Sequence, residues 1–339
     1  MSDISPEYVL KRLGKPVTDL NFWSSGSTQP FLLASYGENG GVDLWDLKTK
    51  RSACHIASHA PMLSCYGMNT GEVITFDKEG QLKLVKIRGA EAVNEVCLST
   101  PNAGFCKAAV LPMHFDSSNA IKVAVPGEEM SSMNVWDLKN TKILSRLIPP
   151  DGFKLGMPMC SKLVNVHSNL VAFIGYEDGT MLKWDVTNEK VISKGERLFD
   201  EPVMTFDLCN DTALDSAQFG FCASATNELI KWHVETNFSK EANLNSKVED
   251  FQIMKKISLL NPGIASLKIR SDKKIIATGG WDYKVRIFSF KSLKPLAVLQ
   301  YHTGTVQTVA FSECLQSFGQ LLACGSNDNK ISVWKLYNS

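Results

Sequence analysis

The chain has 339 residues, 44% of them hydrophobic, with 36 basic and 35 acidic side chains and a formal charge of +1. That length can bury a large core, and the even charge gives no reason to expect nucleic acid or an acidic membrane surface as the main partner. The amino terminus MSDISPEYVLKRLG lacks the apolar stretch of a signal peptide, no run of about 18 apolar residues occurs, and the nine cysteines contain no C-x-x-C pair, so a soluble, intracellular protein with reduced thiols is expected.

In chain order, the first predicted strand lies near Glu7 to Leu13. A run of similar segments follows. Trp45, Val85, Trp136, Trp184, Trp232, Phe288 and Trp334 each end a short apolar run of strand character, with gaps of 40, 51, 48, 48, 56 and 46 residues. Dividing the chain by seven gives about 48, so the repeat accounts for the whole length. Three of these positions are followed by Asp: Trp45-Asp46, Trp136-Asp137 and Trp184-Asp185. Such a dipeptide at this period is the signature of a WD-repeat blade. The expectation is one all-β domain over 1–339, a seven-bladed WD-repeat β-propeller closed by the amino-terminal strand.

The later blades show the plan best. In the fourth, strand Val171 to Ile174, turn Gly175 to Gly179 and strand Met181 to Val186 follow one another. In the sixth the pieces are Ile275 to Thr278, Gly279 to Asp282 and Val285 to Phe290, and in the seventh Leu321 to Cys324, Gly325 to Asn329 and Ile331 to Leu336. Asp178, Asp282 and Asp328 each fall three residues after the first Gly. This alignment puts Trp281 on a turn and leaves the strand position to Phe288. In propellers of this class the turn Asp commonly accepts hydrogen bonds from a loop His, and a strand hydroxyl with the Trp completes the network. His59 and His302 occupy loop-His positions. The network is read as incomplete in every blade, because Cys324 takes the expected hydroxyl position in the seventh and the sixth has neither His nor Trp.

Pro16, Pro61, Pro158, Pro202 and Pro262 recur where the chain enters an innermost strand, a position that tolerates the missing N–H. The polar stretch Thr236 to Lys247 reads as a mobile loop. No phosphate loop, nucleophile elbow or H-E-x-x-H helix is present. Neither catalytic residues nor a cofactor or metal site is assigned. Cys54, His55, His59 and Cys65 fall across a strand, a loop and the next strand and are read as core and loop residues, while Glu128-Glu129 and Glu177-Asp178 are read as solvated turns. The candidate binding face is built from turns and entry loops on one side of the propeller: Met157, Pro158, Tyr176, Glu177, Trp281 and Tyr283. Trp281 there is either a partner contact or a lid over a neighbouring blade.

Several segments carry a more specific likeness: VCLST and GFC (Val96 to Cys106), LGMPMC (Leu155 to Cys160), GYEDG (Gly175 to Gly179), EPVM (Glu201 to Met204), NPGIA (Asn261 to Ala265), GGWDYKVRIF (Gly279 to Phe288), PLAVL with the following His302, VQTVAF (Val306 to Phe311) and ISVWKLY (Ile331 to Tyr337). Over about residues 7 to 337 the chain resembles the family of guanine nucleotide-binding protein β-subunit-like protein 1, whose fungal relatives are the ASTRA-associated proteins. The resemblance implies a non-catalytic scaffold in cytoplasm and nucleus, monomeric within a hetero-complex. It also implies association with the TTT co-chaperone complex, which supports maturation and stability of phosphatidylinositol 3-kinase-related kinases. Two other roles compete. A G-protein β-like role would call for a long amino-terminal helix, for which only about six residues precede the first predicted strand and no heptads exist. A cullin ligase receptor would call for W-D-x-R, where this chain has Lys48 and Lys139, and lysine lacks arginine's bidentate fork.

Overall fold

The computed structural model describes residues 5–11, 14–23, 30–37, 40–101, 104–112, 120–167, 169–195, 197–209, 217–235, 251–313 and 319–337. Its strands form seven four-stranded antiparallel sheets, the blades of an all-β, seven-bladed propeller. They fall into two compact units, 1–97 with 261–339 and 98–260.

The first unit holds four blades. One is β2 (Val17–Trp23), β3 (Phe31–Tyr36), β4 (Val42–Asp46) and β5 (Arg51–Ile56), and the next is β6 (Met62–Gly67), β7 (Glu72–Asp77), β8 (Gln81–Arg88) and β9 (Glu91–Ser99). The third is β22 (Ile264–Ile269), β23 (Ile275–Gly280), β24 (Lys284–Ser289) and β25 (Pro295–Gln300). The last joins β26 (Val306–Phe311), β27 (Leu321–Ser326) and β28 (Lys330–Lys335) to β1 (Tyr8–Lys11), which pairs antiparallel with β28 from Tyr8↔Val333 to Lys11↔Lys330. The amino-terminal strand thus completes the final sheet, as expected for a propeller closed by the segment near Glu7 to Leu13.

The second unit holds three blades. They are β10 (Ala109–Val110), β11 (Lys122–Pro126), β12 (Met133–Asp137) and β13 (Lys142–Leu147); β14 (Pro158–Val166), β15 (Asn169–Tyr176), β16 (Met181–Asp185) and β17 (Lys190–Lys194); and β18 (Val203–Cys209), β19 (Ala217–Ser224), β20 (Glu228–Glu235) and β21 (Phe251–Ser258). Residues 236–247, expected to be a mobile loop, lie outside the described residues.

In each unit the core sits between neighbouring sheets. Alternate residues of a strand face opposite sides, and where both sides are covered, as in β3, β15 and β27, the strand is buried along its length, whereas the outermost strands β5, β9, β21 and β25 are largely exposed. One cluster joins Leu20, Leu32, Ala34 and Trp45 to Leu10, Ala323 and Val333, and another joins Phe173 to Trp232 and Phe251. Trp184, Trp232 and Trp334 are fully buried. Removing about 150–250 Å² of each ring from water is worth roughly 4–6 kcal/mol of transfer free energy. A ladder irregularity falls immediately before Trp45, Trp136, Trp184, Trp232 and Phe288, where each meets its outermost strand. Phe288, and not Trp281, therefore holds the register position.

The second strands run farther than the turn signals suggest. Gly175 and Tyr176, Gly279 and Gly280, and Gly325 and Ser326 belong to β15, β23 and β27 rather than to the turns that follow. The cause is tight approach by the next blade. A Cβ on Gly175 would lie 2.8 Å from Val203 Cγ1, one on Gly279 2.7 Å from Val306 O, and one on Gly325 2.4 Å from Val17 Cγ1. These glycines are packing sites in strands, where any side chain would collide with the first residue of the neighbouring sheet.

Candidate functional site

The polar network of the last blade is complete, contrary to the sequence expectation. His302, 8% exposed, places Nδ1 3.1 and 3.2 Å from the Asp328 carboxylate oxygens and Nε2 2.8 Å from Ser332 Oγ. Trp334 Nε1 donates to the same Ser332 oxygen at 2.8 Å. The missing hydroxyl comes from β28 and not from β27: Cys324 lies opposite Ser332 in the ladder, and burial pushes its thiol well above the usual range. Ser332 and Trp334 stand two residues apart on one strand and so share a face. That spacing was the signal available in the sequence.

One proton assignment fits every contact. Trp334 donates to Ser332, Ser332 donates to Nε2 of a neutral His302, and Nδ1–H donates to Asp328. Burial holds the imidazole below its ordinary pKa, with the Asp328 charge opposing. Burial would raise the Asp328 carboxyl, but the Thr303 N–H, His302 and the Lys330 N–H outweigh it and hold it low.

The β22–β25 blade solves the same problem with different chemistry. Asp282 accepts from Arg286 NH1 at 3.0 Å and NH2 at 2.6 Å, and from Asn261 Nδ2 at 2.8 Å. Its carboxyl is partly desolvated, yet these donors hold it down at about 2. Arg286 stands at the ladder position that Ser332 holds in the last blade, and Asn261 reaches in from the entry loop, so these two donors serve Asp282 where no His is present. Asp178 instead caps its own turn, accepting from Thr180 N at 2.9 Å and Thr180 Oγ1 at 2.8 Å. His59, in the loop that enters the β6–β9 blade, is exposed with no polar partner among the described residues, and the imidazole contact nearby is made within the β2–β5 blade by His55 on Asp43 at 2.8 Å. With His55 committed and Cys54 and Cys65 buried, that cluster is structural. Among the described residues no group of three or more His, Cys, Asp or Glu could hold a metal ion. Cys54, Cys97, Cys106, Cys160, Cys222 and Cys324 are free thiols.

The candidate binding residues divide. Trp281 and Tyr283 stand on the β23–β24 turn, 42% and 48% exposed. The turn is fixed, because Trp281 N donates to Gly263 O at 2.9 Å and the indole lies over the Gly263 backbone, where a Cβ would come within 2.2 Å of the ring. Gly263 has φ +86°, which glycine adopts without strain, and Tyr283 holds φ +69° at the corner. Trp281 thus packs one face on its own blade and leaves the other in solvent.

Tyr176 does not belong on a surface. It is fully buried, and the loss of water drives its phenol far above the usual range, with the Trp184 indole opposing, although neither Tyr176 Oη nor Trp184 Nε1 completes a well-formed hydrogen bond. Its β15 position pairs with Pro158, which is also buried. Strand continuation, invisible in the Gly175 turn signal, turned this aromatic inward. Glu177 remains exposed and accepts from Met157 N at 3.1 Å, while Glu177 N donates to Met157 O at 3.0 Å, so half-buried Met157 and Glu177 mark a closed loop.

Stacked four-stranded sheets, buried strand-end tryptophans and an Asp-His-Ser-Trp network define a WD-repeat β-propeller. The WD domain, G-beta repeat family matches residues 257–289 and 293–335, the blades of Asp282 and Asp328. The mouse guanine nucleotide-binding protein subunit beta-like protein 1 is 31% identical over 339 residues, spanning 98% of this chain and 96% of that protein. This chain belongs to the guanine nucleotide-binding protein subunit beta-like protein 1 family. ASTRA-associated protein 1 of Schizosaccharomyces japonicus is 26% identical over 391 residues (98% of this chain, 99% of that protein), and that of Penicillium rubens 24% over 387 residues (97% and 86%).

Proposed function

We propose that this protein is a non-catalytic scaffold that joins an ASTRA-type assembly, binds the TTT co-chaperone complex and supports maturation and stability of phosphatidylinositol 3-kinase-related kinases, working in cytoplasm and nucleus. The observation that carries the reading is likeness along nearly the whole chain to relatives named for association with ASTRA. A scaffold role also suits the site chemistry, since the His302 and Asp282 networks are committed to holding turns. Trp281 and Tyr283 supply the contact in this reading. An aromatic ring already fixed on Gly263 loses little freedom on binding, which favours its use as an anchor.

Affinity purification from cells, scored for TTT components, G-protein γ subunits and cullin adaptors, tests the assignment. TTT components are the expected catch, and recovery of γ subunits or cullin adaptors alone would overturn it. Imaging of the tagged chain is expected to show both compartments. In the same purification Trp281→Ala should lower TTT recovery with little change in melting temperature, by about 2 kcal/mol or more if the ring is an anchor. A drop in melting temperature with unchanged recovery would assign the ring to packing.

A further inference from the structure

The β22–β25 blade has a second exposed feature at the end opposite Trp281. The β22–β23 turn carries Lys273 and Lys274, and the β24–β25 turn carries Lys291 and Lys294. Phe290 N donates to Lys274 O at 3.0 Å, which sets the two turns side by side. The end of β28 is tied to them. Arg270, 2% exposed, donates from NH1 to Leu336 O at 3.0 Å, and Tyr337 Oη reaches Leu296 O at 3.4 Å. Lys335 therefore joins the same end of the fold.

These turns are tied down by backbone hydrogen bonds. Lys273, Leu293 and Tyr337 all hold positive φ (55°, 56° and 48°), and Leu293 is a buried peg whose N–H donates to Ser289 O at 2.8 Å. Charge on this end is one-sided. Asp272 is the one carboxylate on the two turns, and it is committed to Arg270 through contacts of 2.9 and 2.8 Å. Lys274, Lys291, Lys294 and Lys335 make no ion pair among the described residues, in a chain whose formal charge is +1. Beside them lies an apolar strip of Leu296, Val298 and Tyr337, 46%, 44% and 52% exposed. Leu296 and Val298 alternate along the outermost strand, which has a sheet neighbour on one side only.

We propose that this end of the blade is a docking surface for an acidic, extended segment of a protein partner that carries aliphatic or aromatic residues. Lys291 and Lys294 on the β24–β25 turn and Lys335 at the end of β28, with Lys274 beside Asp272, give this end an excess of ammonium groups that favours carboxylates. The apolar strip at a two-residue spacing suits the alternating side chains of an extended chain. A bare polyanion would use the lysines and leave the strip idle. The surface is separate from Trp281 and stands whichever complex the protein joins.

The test is a fluorescence-anisotropy titration of the full chain with a labelled twelve-residue peptide of alternating Glu and Val, beside a poly-Glu peptide, a duplex DNA of similar charge and phosphatidylserine vesicles. The Glu-Val peptide is expected to bind tightest and to weaken as salt rises. Lys291→Glu with Lys294→Glu should weaken it about tenfold, and Leu296→Ser with Tyr337→Ser about fivefold, while Lys139→Glu with Lys142→Glu in another blade should leave it unchanged. Each variant is checked by its melting temperature. Undiminished binding by both test variants, or tighter binding of poly-Glu, DNA or vesicles than of the Glu-Val peptide, would overturn the proposal.

Discussion

Ser332→Ala probes the network that holds the last blade. The hydroxyl is fully buried and makes two contacts of 2.8 Å, to Trp334 Nε1 and His302 Nε2. Its removal strands one indole N–H and one ring nitrogen, each at a cost of about 1–3 kcal/mol, so that with partial relaxation a loss of about 2–4 kcal/mol is expected. An unfolding entropy of about 2.1 cal/mol/K per residue gives roughly 0.7 kcal/mol/K for this length, and the melting temperature should fall by about 3–6 °C in scanning calorimetry. A double-mutant cycle separates the network from packing. Once Trp334→Phe has removed the indole donor, Ser332→Ala strands one group fewer and should cost about 1 kcal/mol less than it does alone. A single-variant loss below about 0.5 kcal/mol, or strict additivity in the cycle, would refute the reasoning.

Acidification should destabilise the fold in two stages. His302 has a lowered folded pKa, so the stability tied to its neutral form is fully present above the unfolded value of 6.5 and is lost as pH falls through the lower folded value. Asp282 then loses its contribution as pH falls from 3.8 toward about 2. Urea midpoints across pH should trace both losses, and His302→Gln should abolish the first. Arg286→Lys replaces a bidentate fork with a point charge on partly buried Asp282 and should cost about 1–3 kcal/mol by urea unfolding. Gly263→Ala puts a Cβ against the Trp281 ring at φ +86° and should cost at least about 1–2 kcal/mol, with a shift in tryptophan emission as the indole is displaced. Deleting residues 1–11 removes β1, the buried Leu10 and four ladder pairs with β28, and should lower the melting temperature by roughly 5 °C, whereas an unchanged value would show that β1 is dispensable.

The sequence by itself determined the number of blades, the strand register and the place of Trp281 on a turn, because each depends on a local pattern repeated at a fixed period, while the half-exposed, half-packed setting of its ring came from the tertiary structure. A strand-end Trp at 48-residue spacing and a Gly-x-x-Asp turn can be read without knowing what lies across the gap. The partners of the buried polar groups were decided by the tertiary structure. Ser332 serves His302 because β28 presents its face to a loop 30 residues earlier in the chain, and Arg286, at the equivalent position of β24, reaches Asp282 directly together with Asn261 from the entry loop. Tyr176 was misplaced for the same reason: the contact between Gly175 and Val203 extends its strand, and that contact joins residues of two different sheets. The lysine-framed end of the β22–β25 blade is likewise tertiary. Lys274, Lys291 and Lys335 stand apart in sequence and share one end of the fold because Arg270 and Phe290 tie the two turns and the end of β28 together, a juxtaposition that no local period encodes.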